Sequence, residues 1–310
     1  MTTVFFTHPA CLEHDTGQGH PERPQRLEAV LLALDEPEFG KLERREAPQA
    51  DIAHITRVHD KTYATNLLER VPQRGWMALD GDTLMSAGSG EAALRAAGAM
   101  VAAVDLVLKN GAANAFCGVR PPGHHAESDM AMGFCLFNNV AIGAAHACAA
   151  HGLKRVAIVD FDVHHGNGTQ HMFEHDPQIF YASTHQMPLY PGTGARGEKG
   201  VGNICNAPLP PFAGSDEFRD AYEEIVLPAL DRFRPELIMI SAGFDAHRAD
   251  PLASLELEAE DFGWVTERLC EMAKTHCGGR LVSTLEGGYD LEALAESSAA
   301  HVAALLAAKI

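Results

Sequence analysis

The chain is 310 residues long and 46% apolar, and 42 acidic against 24 basic side chains give a formal net charge of −18. Length and composition fit one large α/β domain over 1–310, while the acidic balance argues against a nucleic-acid-binding surface and suits a cationic partner. No apolar run approaches the ~20 residues of a bilayer-crossing helix, and seven cysteines without a CxxC pair or a signal peptide predict reduced thiols in the cytoplasm.

Short apolar, β-branched-rich runs alternate with helical patterns. A strand is expected at 4–7, followed by a helix over 24–34 whose Pro24 suits a first turn. A turn at 79–83 precedes an alanine-rich helix over 90–108 with an apolar face. A strand at 115–119 runs into Arg120-Pro121-Pro122-Gly123-His124-His125, where the prolines forbid helix and the glycine lets the backbone turn. Next come a helix over 138–150, a strand at 155–159, a long glycine-rich loop over 188–202 and a helix over 216–233. Strands at 237–240 and 281–285 bracket a helix over 260–275, and a helix over 291–307 ends the pattern. The alternation predicts a parallel sheet covered on both faces, with little room at either end for a regulatory tail.

Two of these strands run into acids. Asp162 and His164 follow the run that ends at Val159, and Asp245 closes the run that begins at Leu237. Ligands of open parallel sheets bind outside the carboxyl ends of the strands, where both segments would arrive. Two carboxylates and one imidazole form a divalent metal site that keeps a position open for water or substrate. Zinc is the first reading, and the same nitrogen and oxygen donors suit iron or cobalt. His124 and His125, on a rigid loop beside such a site, can take a proton as general base and return it as general acid. The last strand runs into Glu286-Gly287-Gly288-Tyr289, whose glycines would let the tyrosine swing over a pocket and donate to a polarised carbonyl oxygen.

These motifs, together with the segments 14–24, 133–139, 160–168 and 241–247, resemble the metal-dependent histone deacetylases of the arginase and deacetylase superfamily. The similarity is nearest to their class II and bacterial amidohydrolase branch. It implies an arginase/deacetylase α/β fold in which Asp162, His164 and Asp245 hold one zinc, His124 and His125 flank its water, and Tyr289 polarises the carbonyl. It also implies that Asp160 stands behind His124 and Asn167 behind His125. Class I relatives carry Asp where Asn167 stands; a neutral amide stabilises an imidazolium less, so His125 is expected to be the more neutral base and His124 mainly electrostatic. Further implications are a potassium ion at Asp160, Asp162, His164, Ser183 and Thr184, and an acyl-lysine channel at Gly133, Phe134 and Tyr190. Asp82 corresponds to a residue at the rim of that channel and equally reads as a turn residue. Arginase-like relatives use two manganese ions, whereas one full set of ligands is present here.

Relatives that prefer acetylated polyamines carry an acid two residues after an acid like Asp250, and this chain has Leu252 there. The expectation is therefore an amidohydrolase acting on acyl-lysine in peptides or proteins. The alternative is an acetylpolyamine or another small amide. A non-catalytic acyl-lysine binding protein would have no use for the two histidines, three ligands and Tyr289 together.

Overall fold

The computed structural model describes residues 2–308; Met1, Lys309 and Ile310, the two ends of the expected 1–310 domain, lie outside the described residues. The strands are β1 (Thr3–Thr7), β2 (Glu43–Glu46), β3 (Met77–Ala78), β4 (Leu84–Met85), β5 (Asn114–Cys117), β6 (Val156–Asp160), β7 (Ile179–Gln186), β8 (Ile204–Leu209), β9 (Leu237–Ala242) and β10 (Leu281–Leu285). The helices are α1 (Pro24–Ala33), α2 (Ile52–Ile55), α3 (Lys61–Glu69), α4 (Ser89–Leu108), α5 (Asn139–His151), α6 (Asn167–Phe173), α7 (Ser215–Ala221), α8 (Leu227–Phe233), α9 (Ala259–Cys277) and α10 (Leu291–Ala307). Among the described residues, eight strands pair in parallel in the order β2-β1-β5-β10-β9-β6-β7-β8, and β3 and β4 form a separate hairpin.

Successive side chains of a strand point to opposite faces, and here both faces are buried. Phe5, Ala157, Val159, Ile238 and Ile240 enter one core. Val4, Phe6, Val156, Ile158, Leu237, Met239 and Val282 enter the other. That double burial is why these strands read as continuous apolar runs. Among the described residues, no helix is long and apolar enough to cross a membrane.

The sequence reading did not anticipate β2, β7 and β8. β2 is Glu-Arg-Arg-Glu at the sheet edge, where charge suits an unpaired side. β7 carries Ser183, Thr184, His185 and Gln186, and β8 carries Asn206 and Pro208; tertiary burial overrides their weak strand patterns. The helix expected over 216–233 is two helices joined by a π turn at Tyr222–Val226. Pro228, at the start of α8, lacks the amide a continuous helix would use, which accounts for the break.

β5, β10, β9 and β6 lie side by side, and each runs at its carboxyl end into one chemistry-bearing segment. The registers pair Leu285 with Ala242 and Asp160 with Ser241, so those segments leave the sheet at a common level.

Candidate active site

Asp162, His164 and Asp245 come together just beyond the ends of β6 and β9, all three buried. His164 Nδ1 lies 3.1 Å from Asp162 Oδ1 and 3.1 Å from Asp245 Oδ2. One ligand atom from each residue lies within 4.8 Å of the others. Backbone amides fix both carboxylates: Gly287 N donates to Asp162 Oδ2 over 2.8 Å, and Val163 N donates to Asp245 Oδ1 over 2.9 Å. Gly287 is required by close approach, since a Cβ there would run into both carboxylates. The glycine expected to let Tyr289 swing is thus packed against the cluster.

The donor set fits a divalent cation. A single N–H on His164 Nδ1 can serve only one of the two carboxylates facing it, whereas a cation at their meeting point serves all three ligands. Burial disfavours the His164 cation, but the facing carboxylates of Asp162 and Asp245 outweigh it and push its pKa up to about 10. Burial raises the Asp245 carboxyl, and the Asp162 charge raises it further.

His124 and His125 are both buried, and their ring centroids are 4.0 Å apart. Each has its own acceptor: His124 Nδ1 donates to Asp160 Oδ2 over 3.1 Å, and His125 Nδ1 donates to Asn167 Oδ1 over 2.8 Å. Asn167 Nδ2 in turn donates to Glu127 Oε1 over 2.9 Å, which fixes the orientation of the amide. Burial opposes a charge on His124, yet the Asp162 and Asp160 carboxylates hold its pKa up to about 10. Burial and the positive charges of His124 and His164 push His125 well below the ordinary histidine value. The two rings are thus pushed in opposite directions, His124 toward the charged form and His125 toward the neutral one.

The loop that carries them is tied down at several points. Glu286 Oε2 accepts from Gly123 N at 2.6 Å and His124 N at 3.1 Å, and Asn139 Nδ2 donates to Pro121 O over 3.1 Å. Further back, buried Glu22 accepts from Arg120 Nη2 at 2.6 Å and Arg26 Nη1 at 3.1 Å. Arg26 also donates to Glu286 O and Gly288 O, and its guanidinium lies 4.7 Å from the centre of the Tyr289 ring.

Tyr289 N donates to Asp250 Oδ2 over 2.7 Å. Burial pushes the Tyr289 phenol well above its ordinary pKa against the pull of Arg26, so it remains an O–H donor. A cavity of ≈ 230 Å³ opens beside it, lined by Asp82, Gly133, Phe134, Tyr190 and Leu252 together with His125, His164, Leu189 and Tyr289. Tyr190 stands edge-on to His125 at 5.1 Å, and Phe134 edge-on to Tyr289 at 5.8 Å. Gly133 has φ +55°, and a Cβ there would strike the His125 ring; Phe134 follows at φ +69°, a strained conformation for an aromatic residue. Asp82 is exposed, and both Tyr190 and Leu189 belong to the long loop over 188–202.

Around the expected potassium position, Ser183 faces Asp160 across the β6–β7 ladder. Ser183 Oγ meets His185 Nδ1 at 2.8 Å, while Thr184 Oγ1 is buried without a partner among the described residues.

The sequence pattern assigns no role to Glu286, Asp250, Arg26 and Glu127. Glu286 had a usable signal, since it ends an apolar strand as Asp160 does. Asp250 and Glu127 act through contacts 39 and 40 residues apart in sequence, and Arg26 reaches Gly288 O 262 residues away besides Glu22 close by; no local pattern carries the distant contacts.

Fold and site together define an α/β protein of the arginase and deacetylase class. The histone deacetylase domain model matches residues 20–305. The chain is 41% identical to "Histone deacetylase 14, chloroplastic" of Arabidopsis thaliana, over 98% of this chain and 76% of that protein. It is 39% identical to "Histone deacetylase-like amidohydrolase" of Pseudomonas aeruginosa, over 93% of this chain and 81% of that one. The crystal structure of the HDA15 HD domain superposes with a TM-score of 0.91 at 34% identity, covering 99% of this chain and 89% of that one. This chain belongs to the histone deacetylase family.

Proposed function

We propose that the chain is a metal-dependent amidohydrolase that removes acetyl, or another acyl group, from the ε-amine of lysine in peptides or proteins. One observation carries the reading: His125, His164 and Tyr289 open onto the same cavity, whose lining includes Phe134 and Tyr190. Flat rings suit the methylene chain of an acylated lysine.

Asp162, His164 and Asp245 would hold the metal, for which we take zinc; when bound, it supplies an acidified water and polarises the acyl carbonyl. His125, neutral and oriented by Asn167, takes the proton from the attacking water and later hands it to the departing amine nitrogen. His124, charged against Asp160, stabilises the negative charge that develops on the acyl carbon's oxygens. Tyr289 donates its phenolic hydrogen bond to the same developing oxyanion. The products are a carboxylate and a free amine. Asp160, Asp162, His164, Ser183 and Thr184 are the proposed surroundings of a potassium ion. Seven free thiols support the cytoplasm as its compartment.

One feature favours a second reading, in which the substrate is an acetylated polyamine. The exposed Asp82 lies at the cavity mouth beside Asp80, where carboxylates could meet a distant ammonium, whereas Leu252 on the cavity wall supplies no charge. The test is kcat/KM of zinc-loaded protein on acetyl-lysine peptides, longer-chain acyl-lysine peptides, N-acetylputrescine and acetylspermidine side by side. Preference for peptides is the expected outcome, and preference for polyamines would transfer the assignment to the second reading. No turnover of any of them by metal-replete protein would overturn both and leave a binding protein.

A further inference from the structure

We infer a second divalent transition-metal site, away from the cavity, whose protein ligands are Asp105 of α4 and His146 and His151 of α5. His146 Nε2 and His151 Nε2 each lie 2.7 Å from the same oxygen, Asp105 Oδ1. The three donor atoms fall within 4.8 Å of one another, and these are the only such residues among the described residues apart from the Asp162 cluster. Two imidazoles and one carboxylate are borderline nitrogen and oxygen donors of the kind that bind Zn²⁺, Ni²⁺ or Cu²⁺.

The surroundings suit an ion with open positions. The His146 side chain is 6% exposed, the His151 side chain 17% and the Asp105 side chain 35%, so the ligands are partly ordered by the helix interface while one side faces water. Helix backbones on both sides hold the ligands, and the rings of His146 and His151 are already 5.6 Å apart at 73°. Lys109 Nζ engages the other carboxylate oxygen, Asp105 Oδ2, at 3.1 Å and leaves Oδ1 to the histidines.

Arg57 opposes binding. Its Nη1 donates to His146 Nδ1 over 2.8 Å, so in the metal-free arrangement the His146 proton sits on Nε2 and points at Asp105. Coordination through Nε2 moves that proton to Nδ1, and Arg57 must then leave. Arg57 is exposed and can swing into solvent. An ion here would join the C-terminal halves of α4 and α5. The site is independent of the catalytic reading, because its ligands do not line the cavity.

The test is metal analysis of chelator-stripped protein after dialysis against excess Zn²⁺. Wild type is expected to hold two zinc ions per chain, and the Asp105→Asn, His151→Gln double variant one, with kcat/KM of the zinc-loaded enzyme unchanged. Whatever the Asp162 cluster holds, equal zinc content in wild type and the double variant overturns the proposal. Anomalous diffraction at the zinc edge from zinc-soaked wild-type crystals removes any dependence on the variant folding. A peak between Asp105 and the two imidazoles is expected, and its absence overturns the site.

Discussion

His125 Nδ1 lies 2.8 Å from Asn167 Oδ1, so the ring beside the ligand cluster is held by a neutral amide instead of a carboxylate. Replacing Asn167 by Asp supplies a charge that stabilises the imidazolium and raises the His125 pKa. A general base with a higher pKa is lost to protonation sooner as pH falls. The acid limb of the kcat/KM profile of Asn167→Asp should move up by about one pH unit. An unmoved limb would remove His125 as the base.

Tyr289 packs beneath Arg26 with its backbone fixed by Asp250, so Tyr289→Phe leaves the ring in place and deletes only the hydroxyl. Turnover should fall about 10²–10³-fold, the usual loss for one oxyanion donor. Zinc content, measured on the same samples, should stay at the wild-type level. Near-normal turnover with full metal would end the oxyanion role.

Gly287 approaches Asp162 and Asp245 too closely to accept a side chain. Gly287→Ala should spread the two carboxylates, and dialysis followed by metal analysis should show weakened binding at the Asp162 cluster. The same substitution at Gly197, where a Cβ meets nothing within 4 Å, is the control.

Glu22 is fully buried and shared by Arg120 and Arg26. Removing it in Glu22→Ala leaves two cations in the interior without their counter-charge, at a cost of about 3–5 kcal/mol. Urea unfolding should show this loss, and a variant within 1 kcal/mol of wild type (~1.4 kcal/mol is a tenfold change in equilibrium) would mean that the arginines find other partners.

His301 is buried between Thr266 Oγ1 at 2.6 Å and Ser283 Oγ at 2.8 Å, and burial pushes its pKa down to about 3. Its ordinary value, 6.5, applies in the unfolded chain, so below that pH the unfolded state takes a proton that the native state refuses. Stability is therefore complete above pH 6.5 and lost as pH falls toward 3, by up to ~1.4 kcal/mol per pH unit for this group. The difference in urea stability between wild type and His301→Leu, followed from pH 7.5 to 5, should be level above 6.5 and change with that slope below it; a constant difference throughout would show that native His301 takes up its proton as readily as the unfolded chain does.

Much of the fold was legible because buried parallel strands and long helices write themselves locally. Runs such as Val156 to Val159 and Leu237 to Ile240 have no polar face to conceal them, and Asp162, His164, Asp245 and Tyr289 directly follow such runs. β7 stayed hidden because its carboxyl half turns polar, and β8 because Asn206 and Pro208 interrupt its apolar run, with Ser183, Thr184 and Asn206 in the interior. Two adjacent histidines on an isolated loop would be costly to bury. Asp160 and Asn167, 36 and 42 residues later in the chain, offset that cost.

The sequence by itself determined the strand and helix alternation, the residues able to bind a metal or move a proton, and the family. Each depends on neighbours in the chain or on motif order. The tertiary structure decided which carboxylates and amides face each of the paired histidines, why Gly287 cannot be larger, which rings wall the cavity, and that Asp105 meets His146 and His151. Those facts depend on distances between segments far apart in sequence, and on charges whose effect is set by burial and by what faces them.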